Sequence, residues 1–221
     1  MVPASRGQAP QAQPRVLRIG EDMVVNERVR TDAEGRTQLL FLDGSALTLR
    51  PNSDVVLDEF VYDPNTKTGK LAFSATKGVF RLVRGKISKD EPVLLRTPTA
   101  TIGVRGGIAM ANVGGNQVDA DFIFGQEMSF TGGGTQQTTT RPGFRITQIG
   151  GGPPQPPVPT PPAAFQQALN QTEGNQPQPT NPVSDSDVAG SQISDLSSGQ
   201  GPNIPTPDGQ TGGTDTRAIL A

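Results

Sequence analysis

Cysteine, histidine and tryptophan are absent from this chain of 221 residues, and tyrosine occurs once. Without Cys and His there are no thiol nucleophiles, no disulfides, no structural zinc sites, no Ser-His-Asp triads and no imidazole acid/base groups. Few enzyme mechanisms survive that exclusion, and a non-catalytic role is expected, with no cofactor and no metal. The lack of cysteine carries no inference about redox compartment, because disulfide-free proteins live in oxidising and reducing spaces alike. Positive charge is not in excess either. Lys plus Arg number 19 against 21 Asp plus Glu, net −2, with a pI of about 5.2, so no global basic field recruits nucleic acid or an anionic membrane. Residues 1–19 lack the apolar core of a signal peptide, and no run approaches the roughly 18 to 20 apolar residues needed to span a bilayer. As it stands the chain is expected to be neither self-exporting nor integral, although a processed or trimmed chain would read the same way.

What the chain does have is glycine and proline, 27 and 21 residues, too many for one uniformly folded globule. The first 14 residues, rich in Pro, Gln and Ala, are expected to be a flexible lead. Residues 30–57, RTDAEGRTQLLFLDGSALTLRPNSDVVL, carry two turn signals and three short apolar runs. Asp43-Gly44 between QLLFL and ALTL predicts a hairpin on a type I′ turn, and Pro51-Asn52-Ser53 predicts the next reversal. DPNTKTG, residues 63–69, reads as a further hairpin loop. From there to Ile149 short β-prone runs alternate with Gly and Pro punctuation, with no ten-residue stretch of helical period. The expectation is one all-β domain over 15–149, a β-roll, β-solenoid or sandwich of short strands. Leu40, Leu47, Leu49, Leu57, Phe80, Ile102 and Ile108 are its expected core. Residues 150–221 hold 13 Pro and 10 Gly, with six acids against one arginine, and predict a disordered Pro/Gly-rich acidic tail. One short helix is expected at 162–171, where Pro162 precedes an Ala-rich run with Phe165 and Leu169 at i and i+4.

Three phrases occur in a telling order: residues 27–57, residues 77–86 (KGVFRLVRGK) and residues 96–113 (RTPTATIGVRGGIAMANV). Thr31, Asp43-Gly44-Ser45, Leu47-Thr48-Leu49, Pro51-Asn52-Ser53, Gly78-Val79-Phe80, Thr97-Pro98-Thr99-Ala100 and Val104-Arg105-Gly106 together resemble the FecR domain, the extracytoplasmic domain of the ferric-citrate regulator family. That resemblance implies a β-stranded roll outside the cytoplasmic membrane, in the periplasm or at the cell surface, with a protein partner in the envelope. In the family's complete regulators the domain relays a signal from an outer-membrane receptor to a cytoplasmic sigma factor. The sequence as it stands is expected to lack the cytoplasmic anti-sigma segment and the membrane helix, and Gly107 stands where the family usually has Thr. The resemblance therefore implies a stand-alone, exported FecR-like domain that binds protein. An envelope scaffold or glycan-binding module without a signalling role is the alternative.

Several stretches compete as binding sites. Residues 118–130 carry only acidic charges, no Lys and no Pro, and are bordered by glycine pairs, so they read as an undefended strand edge open to a partner's strand. Val118, Phe122, Ile123 and Phe124 are its candidate contacts. Lys77, Arg81, Arg84, Lys86 and Lys89 form the densest basic cluster, from which Arg81, Arg84 and Lys86 are candidates for an acidic partner. Gly103-Val104-Arg105-Gly106-Gly107 offers either an anion-cradling nest or, more simply, glycines bending one strand into the next. Asp185-Ser186-Asp187 echoes a calcium loop without its spacing, and Asn170-Gln171-Thr172 fits a glycosylation sequon by pattern alone.

Overall fold

The computed structural model describes residues 4–89, 91–163 and 166, and the backbone of 216–219. The described residues are built almost entirely of strands, in two hydrogen-bonded layers. The first runs β2 (Arg15–Val16), β1 (Ser5–Gln8), β3 (Arg28–Thr31), β6 (Asp54–Asp63), β7 (Thr68–Val83), β8 (Val93–Arg96), β9 (Ala100–Arg105), β12 (Glu127–Gly132) and β13 (Thr135–Thr139). The second runs β16 (Thr216–Ile219), β4 (Thr37–Leu40), β5 (Ala46–Leu49), β7 again, β10 (Ile108–Val113), β11 (Gln117–Phe124), β14 (Phe144–Ile149) and β15 (Val158–Pro159). Among the described residues no helix is long and apolar enough to cross a membrane.

Strand β7 belongs to both layers. Its first half pairs with β6 and, in parallel, with β8, whereas residues from Gly78 onward pair with β5 and β10. The change of layer occurs at Gly78, whose φ of 119° is closed to side-chain-bearing residues. Ser53, from the Pro51-Asn52-Ser53 turn, closes the corner, since its hydroxyl oxygen accepts from Val79 N at 3.3 Å. After β7 a 3₁₀ turn at Ile87–Lys89 carries the chain back to β8 in the first layer. The fold is thus a two-layer sandwich with one roll-like coil, as the turn spacing predicts.

Between the layers lies one apolar core, including Phe73, Phe80, Phe122, Phe130, Leu47, Leu49, Leu57 and Ile102, each at most 2 % exposed. Phe41 bridges toward Phe60 and Phe73, with ring centroids 5.2 and 5.4 Å away. Burying an aromatic or a leucine in such a site contributes about 1.5 to 3 kcal/mol each. Two expected core residues fall elsewhere. Leu40 is only half-buried, because β4 alternates inward at Thr37 and Leu39 and turns Leu40 outward. Ile108 is half-buried beside a register shift between β10 and β11.

The domain also exceeds its expected boundaries. Residues 5–8 of the anticipated flexible lead form β1, antiparallel to β3, so their backbone groups are ladder-paired. On the other side, Gln155 N and Thr160 N donate to Thr147 O and Gly143 O, fastening residues 150–160 to β14. The Thr160 hydroxyl reaches Asp121 at 2.8 Å. Strand β16 lies parallel to β4. Most of the remaining tail falls outside the described residues, including nearly all of the expected 162–171 helix, the sequon and Asp185-Ser186-Asp187.

The Asp43-Gly44 hairpin forms, with a different turn from the expected one. Gly44 alone has positive φ, its N–H donating to Phe41 O at 2.8 Å, while Phe41 N donates to Ser45 O at 2.9 Å. This is a type I reversal with the glycine as the left-handed bulge residue.

Candidate functional site

A straight strand joining Lys67 to Arg84 would be about 55 Å long at ~3.3 Å per residue. Instead, because β7 folds over at Gly78, both residues line one open groove of about 500 Å³. Three local structures build it. The first is the β6–β7 loop. The Asp63 carboxylate accepts Asn65 N at 2.8 Å, and Lys67 N donates to Asp63 O at 2.8 Å. Backbone donation from Asn65, with a hydrogen bond from Thr66, holds the Asp63 carboxyl below its ordinary range. Lys67 itself sits at φ 58°.

The second is the Asp43-Gly44 turn. Asp43 is 1 % exposed, and its carboxylate accepts Ser45 N at 3.0 Å, the Ser45 hydroxyl at 2.6 Å and Ile87 N at 3.2 Å. The third is the segment after β7. Lys86 N donates to Asp43 O at 2.9 Å, Arg84 N donates to Gly107 O at 2.9 Å, and buried Ile87 pins the 3₁₀ turn that carries Lys89. Asp43 therefore anchors the groove floor by holding the two loops together. Lys67, Arg84, Lys86 and Lys89 are all exposed, and among the described residues none is in an ion pair.

Of the expected site residues, Arg84 and Lys86 meet here. Arg81 does not. It lies half-buried on the outward face of the second layer, opposite Thr48 and Met110. Lys67 joins Arg84 and Lys86 from the 63–69 loop, and nothing local in the sequence announces it, because β7 doubles back only at Gly78.

The expected strand edge at 118–130 is not an edge. β11 is paired with β10 on one side and β14 on the other, and β12 lies between β9 and β13. Both rows of backbone groups are in use, so a partner strand has nothing to add to. Val118 and Phe122 are core, at 3 % and 0 % exposure. Ile123 is the extra residue of a β-bulge between the Ile108–Phe124 and Ala109–Phe122 pairs, and only Phe124, 58 % exposed, faces outward. Nor do Gly103 to Gly107 make a cradle. Gly106 turns with φ 59°, a side chain on Gly107 would run into Phe124 O, and Arg105 lies 3.6 Å from Glu127.

The fold and site define a class: a two-layer β module that carries an open cationic groove. Residues 27–126 match the family described as FecR protein. The matched residues include all four groove cations. Two crystal structures of a Parabacteroides distasonis protein described as a "putative anti-sigma factor" resemble it at 11% identity and a TM-score of 0.49, over 65% of this chain and 64% of theirs. No curated protein matches the chain.

Proposed function

We propose that the chain is a non-catalytic protein-binding module that acts outside the cytoplasm in envelope signalling. The observation that carries this reading is the FecR domain across residues 27–126. The side-chain chemistry agrees with a binding role. Buried carboxylates are committed to structure: Asp54 to Arg28 and Arg30 at 2.6 to 3.2 Å, Asp121 to Arg145 at 2.8 Å, and Asp119 to Thr147 at 2.7 Å. None of these is left as a free acid or base facing a cleft. The test is photo-crosslinking in intact cells from exposed positions Leu42, Val61 and Phe124, followed by identification of the adduct and protease accessibility in cells with opened envelopes. A discrete envelope protein on the gel, with the chain cleaved from the outside, is the expected result. Adducts confined to polysaccharide would replace this reading with a glycan-binding scaffold, and a chain protected until the inner membrane is broken would overturn the extracytoplasmic assignment.

A further inference from the structure

The groove between the β6–β7 loop, the Asp43-Gly44 turn and the 3₁₀ turn lacks what a compact-anion site needs. A phosphate cradle converges backbone N–H groups on one point. Here those donors are already used within the chain: Gly44 N by Phe41 O, Lys67 N by Asp63 O, Arg84 N by Gly107 O, Lys86 N by Asp43 O and Ile87 N by the Asp43 carboxylate. Among the described residues no aromatic ring lines the groove, so neither a base nor a sugar finds a face there to stack on. What remains is four long, exposed cationic side chains around about 500 Å³ of open space. Among the described residues lining the groove the one acid is Asp43, which already accepts three hydrogen bonds. Separated mobile charges of one sign suit an extended chain that carries its negative charge at intervals.

Lys67 strengthens the case. A residue at φ 58° in a hairpin loop is most easily glycine or asparagine, and lysine gains nothing from that conformation. The backbone strain is tolerated where a cation is delivered to the groove.

We infer that Lys67, Arg84, Lys86 and Lys89 form the docking surface for an acidic, extended peptide segment of the protein partner. This rests on the protein-binding reading above and names the surface and the chemistry of that partner. Recognition is electrostatic, so it weakens as salt screens the exposed charges.

The test uses the full chain and a fluorescent twelve-residue peptide of alternating Asp, Glu and Gly, read by anisotropy at low and physiological salt. A Gly/Ser/Asn peptide is the neutral control, and inorganic phosphate and polyphosphate are competitors. Lys67→Gly is the central variant, because glycine is better suited to that φ and the domain must melt no lower than the parent. We expect Lys67→Gly to weaken the acidic peptide several-fold. The pair Arg84→Glu and Lys86→Glu should weaken it by about tenfold or more, since each exposed ion pair is worth up to about fivefold and reversal adds repulsion. Arg18→Gln, an exposed cation outside the groove, should leave it unchanged. Absence of binding, binding indifferent to these variants, or polyphosphate binding more tightly with the same variant dependence would each overturn the inference. A crosslinked envelope protein that Arg84→Glu and Lys86→Glu still capture would sink the groove and leave the protein-binding reading standing. The loss of every crosslinked protein from the unaltered chain would sink that reading itself.

Discussion

Replacing Gly78 with alanine should cost the fold about 2 to 6 kcal/mol, through two effects of similar size. At φ 119° the backbone of residue 78 lies where only glycine is comfortable, and holding another residue there costs about 1 to 3 kcal/mol. The added methyl would also sit 2.5 Å from Ser53 Cα, and closer still to the Ser53 hydroxyl. Because the obstructing Cα is main chain, relief means moving the Pro51-Asn52-Ser53 turn, an overpacking cost of about 1 to 3 kcal/mol more. For a domain of this size each kcal/mol lowers Tm by about 2 to 4 °C, so a loss in mid-range lowers it by roughly 8 to 16 °C. Gly44→Ala is the matched control. Its φ is 85° with no heavy atom within 4 Å of the new methyl, so it carries backbone strain alone. Chemical denaturation followed by circular dichroism, with equal m-values, gives both numbers. Equal losses at the two positions would refute the reasoning, because the approach of Ser53 would then contribute nothing to the corner where β7 changes layer.

Phe80→Ala should destabilise by about 3 to 5 kcal/mol, the range for emptying a buried aromatic site, and a denaturation midpoint that hardly moves would show the ring is not in the core. Asp121→Ala should cost about 3 to 5 kcal/mol, because it strands the largely buried Arg145 guanidinium and the Thr160 hydroxyl, and Asp121→Asn should recover part of that loss. Asp63, its folded-state pKa depressed chiefly by the Asn65 N–H, contributes stability that is fully present above its unfolded value of about 3.9 and is lost as pH falls through the lower folded value. Asp63→Asn should therefore flatten the acid limb of a stability–pH profile below about pH 4, and an unchanged limb would exclude that cap.

Local chemistry was legible in the chain and long-range neighbourhood was not. The Asp43-Gly44 hairpin, the Pro51-Asn52-Ser53 reversal and the 63–69 loop each form where a few consecutive residues demand them. In QLLFL two leucines stand side by side, and only pairing with β5 decides that Leu39 and not Leu40 faces in. The misjudged edge is more instructive. A stretch without Lys or Pro reads as undefended, yet a strand flanked on both sides, as β11 is by β10 and β14, needs no defence. The same composition thus signals vulnerability at an edge and centrality inside a sheet. Arg84 and Lys86 stood out as a dense basic run, whereas Lys67 joins them only through a corner that shows in sequence as one unremarked glycine within a β-prone stretch.

Strand β7 ties the cooperativity of the two layers together. Many sandwiches can open one sheet while the other persists, giving sub-global unfolding units of distinct free energy. Here the strand between β6 and β8 continues as the strand between β5 and β10, so freeing either half leaves a sheet split through its middle. Slowly exchanging amides near Phe73 in one layer and Phe80 in the other should therefore report the same opening free energy. A docked partner that holds Lys67 against Arg84 would clamp both ends of that one strand and raise the stability of the two sheets together.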